Sequence, residues 1–319
     1  MNIRTYSDLT KCLTQNLYKI PRDIDLIVGI PRSGTMVANI LALYLNLPFT
    51  DIDNFCKNGD IRTGNTKKCK NWIKSISEAK KVLIVDDSVS SGTAIKEAKQ
   101  LLKDKDCELI WFAVYVLPLN KNMVDIYCEV CNQPRMFEWN FMHHWELENS
   151  CMDIDGVLCQ DPSKFENDDG KRYEHFLENA PAKFIPTRKV GKLVTNRLEK
   201  YRPQTEAWLK KYDIEYDELI MLDGVTGLER ALSGNHAQYK AEIYKKCDAI
   251  LFFESDYNQA VDICRLSGKP VFCVETMELL NSEHPGEKVT SKMMEIKATI
   301  RHTLVKILWL KRNKDKSNR

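Results

Sequence analysis

Two apolar runs in this chain each close on a pair of aspartates: "VLIVDD" at 82–87 and, near the middle, "CMDID" at 151–155. Short runs rich in β-branched residues, bounded by turn residues, read as strands buried on both faces of a parallel sheet. Such strands need helical crossovers, and the chain supplies them. "DLIVGI" (25–30), "SGTMVANILALYLNL" (33–47), "KKVLIVDD" (80–87), "SGTAIKEAKQLLKDK" (91–105) and "LIWFAVYVL" (109–117) alternate strand with helix. The alternation restarts after 150 with "CMDIDGVL", "KLVTN" (192–196), "ELIML" (218–222), "AILFFES" (249–255) and "PVFCVE" (270–275). The fold class expected is α/β, as two consecutive α/β domains. A chain of 319 residues can bury two separate cores.

The boundaries read from the sequence are 1–149, 150–284 and a tail from 285 to 319, with the first joint in "PRMFEWNFMHHWELEN" (134–149). At 43% hydrophobic and 29% charged residues, the chain has the composition of a globular protein. A net charge of +2 says nothing about partners by itself, and no nucleic-acid partner is expected. The eleven cysteines follow no disulfide-scaffold spacing, and "MNIRTYSDLTKCLTQN" has no signal-peptide core, so a reducing cytoplasmic setting is expected. From Lys288 to Arg319 ten Lys/Arg face two acids, and Met293, Ile296, Ile300, Leu304, Ile307 and Leu308 recur at helical spacing, with Trp309 near the end. That is a basic amphipathic helix, suited to an anionic surface at the inner face of a membrane or to docking on protein.

"VLIVDDSVSSGTA" (82–94) joins a strand ending in Asp86 and Asp87 to a turn, Ser88, Val89, Ser90, Ser91, Gly92 and Thr93, that opens a helix. Backbone N–H groups at a helix start, with Ser and Thr hydroxyls, suit a phosphate monoester, and the two acids can accept hydrogen bonds from vicinal sugar hydroxyls. This stretch resembles the phosphoribosyl pyrophosphate (PRPP) signature of type I phosphoribosyltransferases. The resemblance implies a pyrophosphate turn at Arg32, Ser33 and Gly34 in "LIVGIPRSGTM". It also implies a mobile basic loop in 54–72 carrying Lys57, Arg62, Lys67 and Lys68. A solvated basic turn is the competing reading of that loop. Ser90 stands where the 6-oxopurine salvage branch has an aspartate, which weakens the case for hypoxanthine or guanine as acceptor.

"DIDGVL" resembles the first motif of haloacid dehalogenase-type phosphatases. The resemblance implies Asp153 as nucleophile and Asp155 as proton shuttle, Thr195 and Lys240 as second and third motifs, and Glu254 or Asp256 as the fourth. Asp153, Asp155, Glu254 and Asp256 would supply oxygen ligands to Mg²⁺. The short insert 160–190 implies only a small lid. Fused phosphoribosyltransferase and phosphatase modules resemble the ribofuranose-adding enzymes of bacterial polysaccharide assembly. The implied partners are PRPP and a glycan acceptor, lipid-linked. Two alternatives stay open: a nucleobase phosphoribosyltransferase coupled to a 5′-nucleotidase, and a PRPP-sensing regulator without turnover. A homo-oligomer is left open as well. Cys128 and Cys131 with His143 and His144 fit no common zinc spacing. Phe137, Trp139, Phe141 and Trp145 read as packing at a joint before they read as sugar-stacking groups.

Overall fold

The computed structural model describes residues 1–64, 66, 72–167, 169–223 and 236–287. The chain divides into two compact units, Met1–Phe141 and Met142–Arg319. That division lies within the segment 134–149 in which the sequence places the first joint, eight residues before the 149/150 boundary. The 3₁₀ turn Trp145–Asn149 packs on strands of the second unit, and Thr187 N donates to Met142 O at 3.0 Å. The basic tail from Lys288 on, including the helical stripe ending at Trp309, lies outside the described residues, as do Lys67 and Lys68.

In the first unit, β1 (Asn2–Arg4) leads into α1 (Tyr6–Asn16), whose start is fixed by a Thr5/Asp8 capping box. Then come β2 (Leu26–Gly29), α2 (Ser33–Leu45), β3 (Phe49–Asp51), α3 (Ile52–Cys56), β4 (Lys81–Val89), α4 (Thr93–Leu101), β5 (Glu108–Val116), β6 (Ile126–Val130) and β7 (Arg135–Phe137). Five of these strands form a parallel sheet in the order β3-β2-β4-β5-β6. The residues of β4 alternate between two cores. Leu83 and Val85 join Val37 and Leu41 of α2 on one side, while Val82 and Ile84 join Ile95 and Ala98 of α4 on the other. Covering both faces is why these strands read as unbroken apolar runs. β1 and β7 form a separate parallel ribbon, with Asn2 opposite Arg135 and Arg4 opposite Phe137.

The sequence reading ended the central strand at Asp87. The strand in fact runs on to Val89, because Ser88 and Val89 keep their register with Tyr115 and Val116 of β5.

The second unit contains β8 (Ser150–Met152), α5 (Lys171–Asn179), β9 (Val190–Leu198), α6 (Arg202–Lys211), β10 (Tyr216–Leu222), α7 (His236–Lys246), β11 (Leu251–Glu254), α8 (Tyr257–Ser267), β12 (Val271–Cys273) and β13 (Glu278–Leu280). Its sheet order is β10-β9-β8-β11-β12-β13, parallel except for β13. Cys151, Val194 and Phe252 pack there against Ala241 and Tyr244 of α7 and Val261 and Cys264 of α8. β8 is shorter than "CMDIDGVL" suggests. Past Asp153 the chain folds back, with the N–H groups of Val157, Leu158 and Cys159 all directed at Ile154 O. Asp155 therefore sits in a turn and not on a strand.

Candidate functional sites

In an open parallel sheet, a crevice forms beyond the carboxyl ends of two adjacent strands whose crossovers leave in opposite directions. In the first unit that point lies between β2 and β4. Ile30 N donates to Val85 O at 2.9 Å, which carries the turn Arg32–Gly34 alongside Asp86. Gly34 is required by that approach: a Cβ there would stand 2.6 Å from Val85 O and 3.1 Å from Asp86 Oδ1. Gly34→Ala is expected to destabilise the first unit by about 1–3 kcal/mol through forced separation of α2 from β4. Thermal unfolding together with PRPP titration checks this.

Asp86 and Asp87 are nearly buried in β4, three and two positions before its end at Val89. Asp87 N donates to Asp86 Oδ1 at 2.9 Å, and Trp139 Nε1 donates to Asp87 Oδ2 at 2.7 Å. Burial pushes the Asp86 carboxyl up to about 9, helped by the charge of Asp87 beside it. The turn then opens outward. Ser90, Ser91 and Thr93 are exposed. Ser91 and Thr93 hydroxyls lie 2.9 Å apart, Thr93 N donates to Ser91 Oγ at 3.3 Å, and Ser90 O accepts from Asn120 Nδ2. Gly92 precedes α4 at φ +78°, a conformation that brings the turn onto the helix start without a Cβ penalty. Val89 is a correction: its side chain belongs to the core under α4, so only its main chain is available to a ligand.

Of the basic loop, Lys57 closes α3 and Arg62 pairs its backbone with Phe49, both side chains exposed. Of the aromatic group, Phe137 and Phe141 are buried as expected, Trp139 is half-buried and Trp145 is exposed. Phe137 and Trp139 stack at 4.9 Å, and Tyr115 lies 5.2 Å from Phe137. Cys128 and Cys131 belong to the first unit and the two histidines to the second. Among the described residues no three His, Cys, Asp or Glu side chains gather as a metal cluster.

The second unit has its own crevice, between β8 and β11. A cavity of about 520 Å³ opens there, lined among others by Asp153, Asp155, Thr195, Lys240, Glu254 and Asp256. Asp153 follows β8 and Glu254 ends β11, so Lys240, facing inward from α7, meets both carboxylates. Its Nζ donates to Asp153 Oδ2 at 2.5 Å and to Glu254 Oε2 at 2.7 Å. All three are buried. Burial pushes the Asp153 carboxyl up to about 7, against the pull of Lys240 and with the push of Glu254 and Asp155. Lys240 is held above its ordinary value by the two acids, which outweigh its own burial.

Glu254 and Asp256 divide the fourth position. Glu254 Oε1 accepts from the N–H groups of Ser255 and Asp256, whereas Asp256 Oδ1 caps α8 through Gln259 N at 2.7 Å. The hard oxygen donors of this cavity match Mg²⁺ chemistry. Lys240 engages Asp153 as well as Glu254, so this contact does not separate them, and Asp153, Glu254 and Asp256 are all carboxylates of the cavity that could receive the ion.

Asp155 has a partner the motifs did not supply. Arg197 Nη2 donates to Asp155 Oδ1 at 2.7 Å and Nε to Oδ2 at 3.1 Å. Burial alone would push the Asp155 carboxyl up; the charge and hydrogen bonds of Arg197 hold it below its ordinary value. A signal was available: Arg197 lies two residues after Thr195 in β9, hence on the same face of the strand. The insert adds Asp161, Asn167, Tyr173 and Lys183 to the cavity wall. Lys183 Nζ donates to Gly156 O at 2.6 Å, tying the insert to the Asp155 turn.

Comparison with known proteins bears on the first unit. Residues 5–145 match the phosphoribosyl transferase domain family, so the N-terminal part carries a phosphoribosyltransferase-type α/β domain. Over 118 residues the chain is 29% identical to the transcriptional regulator GfcR of Methanococcoides burtonii, covering 36% of this chain and 56% of that protein. Over 114 residues it is 30% identical to the amidophosphoribosyltransferase of Saccharomyces cerevisiae, covering 32% of this chain and 22% of that protein. The chain thus spans about half the length of the first relative and about a fifth of the second. Among solved structures, the Helicobacter pylori xanthine-guanine-hypoxanthine phosphoribosyltransferase matches at 19% identity and a TM-score of 0.31, over 43% of this chain and 90% of that one. The purine phosphoribosyltransferase of Pyrococcus horikoshii gives 19% identity and a TM-score of 0.32, over 44% and 95%.

Proposed function

We propose that the chain is a bifunctional enzyme that transfers 5-phosphoribosyl from PRPP to a glycan hydroxyl and then removes the 5-phosphate. The first half rests on the phosphoribosyltransferase domain match and on the Asp86–Thr93 turn beside Arg32–Gly34. The acceptor oxygen attacks C1 of the ribose, pyrophosphate leaves, and the acceptor proton passes to solvent or to a base. Inversion of the α-linked donor leaves a β-ribofuranosyl 5-phosphate.

The observation that carries the second half is Lys240 between Asp153 and Glu254 in a cavity shared with Asp155 and Thr195. Asp153 attacks phosphorus and forms an acyl phosphate, while Asp155 gives its proton to the departing ribose oxygen. Water, deprotonated by Asp155, then releases phosphate. Arg197 favours the ionised form of Asp155 required for this second step. The dianionic substrate phosphate, arriving nearby, favours the protonated form required for the first. Mg²⁺ bound among Asp153, Glu254 and Asp256 would neutralise phosphoryl charge. Thr195 and Lys240 hold the phosphoryl oxygens.

Removing the 5-phosphate makes the transfer irreversible, a gain for polymer assembly and a loss for nucleotide synthesis. For that reason the coupled nucleobase phosphoribosyltransferase and 5′-nucleotidase ranks lower. A lipid-linked acceptor at the inner face of the membrane fits the basic tail seen in the sequence. A PRPP-sensing regulator is the second reading, favoured by the likeness to proteins described as transcriptional regulators.

The test is product analysis with PRPP, Mg²⁺ and a panel of glycan and nucleobase acceptors. Asp87→Ala is expected to lower transfer by about 10²-fold or more, through lost contacts to the ribose hydroxyls, while hydrolysis of a simple ribose 5-phosphate ester continues. Pyrophosphate release with a nucleobase, or PRPP binding without release for every acceptor, would replace the glycan reading with one of its rivals.

A further inference from the structure

Trp139 packs among aromatic rings. Phe137 stacks on it nearly parallel, with centroids 4.9 Å apart and 5° between planes, and Tyr6 lies 5.7 Å away at 43°. Its Nε1–H meets Asp87 Oδ2 at 2.7 Å.

The clamp is built from the two ends of the first unit. Phe137 closes β7, which pairs with β1, and Tyr6 begins α1 directly after it, its N–H donating to Glu138 Oε2 at 2.8 Å. Asp87, by contrast, stands near the end of β4 in the central sheet. An indole N–H is a donor only, so this bond exists to hold an acceptor in one orientation. A nearly buried carboxylate oxygen left without its donor is costly, so this contact is one the fold keeps.

We infer that Trp139 is a positioning residue for Asp87: the clamped indole fixes the plane of that carboxylate so that it meets the vicinal hydroxyls of a ribose 5-phosphate ligand. The inference rests on the reading of the Asp86–Asp87 turn as the PRPP site. It adds a residue from the turn that follows β7, which no part of the phosphate turn contains, and it makes ribose recognition depend on how the β1–β7 ribbon holds that turn. The specificity conferred is for a furanose with free 2- and 3-hydroxyls. Pyrophosphate binding at Arg32–Gly34 is untouched.

The test uses the full chain carrying Asp153→Asn throughout, so that the 5-phosphate of the ligand is not removed. Trp139→Phe keeps an aromatic ring in the clamp and deletes only the N–H. Calorimetric titration with Mg²⁺ is expected to show PRPP affinity weakened about 10-fold, pyrophosphate affinity unchanged within about 2-fold, and an unfolding midpoint lowered by only a few degrees. Trp139→Leu, which also breaks the stack, should lower that midpoint further. If Trp139→Phe binds PRPP as tightly as its parent, or loses PRPP and pyrophosphate affinity in parallel, the inference fails. If the parent itself does not bind PRPP, the reading of the turn fails first.

Discussion

Asp153→Asn is expected to stop the chain half-way through its sequence of reactions. Transfer from PRPP continues, and the product keeps its 5-phosphate. The amide occupies the space of the carboxylate, and Lys240 retains Glu254 at 2.7 Å, so the cavity is preserved while the nucleophile is gone. Loss of a covalent nucleophile costs on the order of 10³-fold or more. Mass spectrometry then sees a product heavier by one phosphate than that of the wild type, with pyrophosphate release at its normal rate. Equal loss of both activities in this variant would sink the assignment of one activity to each unit. Retention of dephosphorylation would remove Asp153 from the role of nucleophile.

Why the sequence yields so much of this and misses the rest follows from the range of the interactions. β2, β4 and β5 are covered on both faces, so their residues are apolar without interruption and legible as they stand. β1, β3, β7 and β13 are three residues each, too short to develop a period. The acids at strand ends were visible because a strand fixes where its last residues sit. Lys240 stands before an apolar strand in the sequence, and its side chain is buried. The partners of those acids were not visible as partners. Trp139 reaches Asp87 across 52 positions and Arg197 reaches Asp155 across 42, and only the packed sheet brings them together. Asp155 shows the limit from the other side. The strand pattern predicted two acids on one face, yet the turn at Ile154 delivers them to the same cavity by another route and gives each a different cation.

That division of cations has a measurable consequence. Arg197 is fully buried, and its pair with Asp155 is largely closed to solvent, with side-chain exposures of 0% and 19%. Arg197→Met removes the charge but keeps an apolar stem, leaving Asp155 buried without its cation. Breaking such a pair from one side costs about 3–5 kcal/mol, a fall in the unfolding midpoint of roughly 10 °C for a unit of this size. The sign with pH follows from the depressed carboxyl. A group whose folded pKa lies below its unfolded value, about 3.9 for Asp, contributes stability above that value and loses it as pH falls through the folded pKa. The gap between wild type and Arg197→Met is therefore widest near neutrality and closes toward strongly acid pH. Adding Asp155→Asn to Arg197→Met removes the orphaned charge and should restore much of the stability, though none of the hydrolysis, since the proton shuttle is absent. A double variant no more stable than Arg197→Met alone would mean that Arg197 supports the fold through its hydrogen bonds to Thr205 and Cys159, and that its pair with Asp155 is incidental.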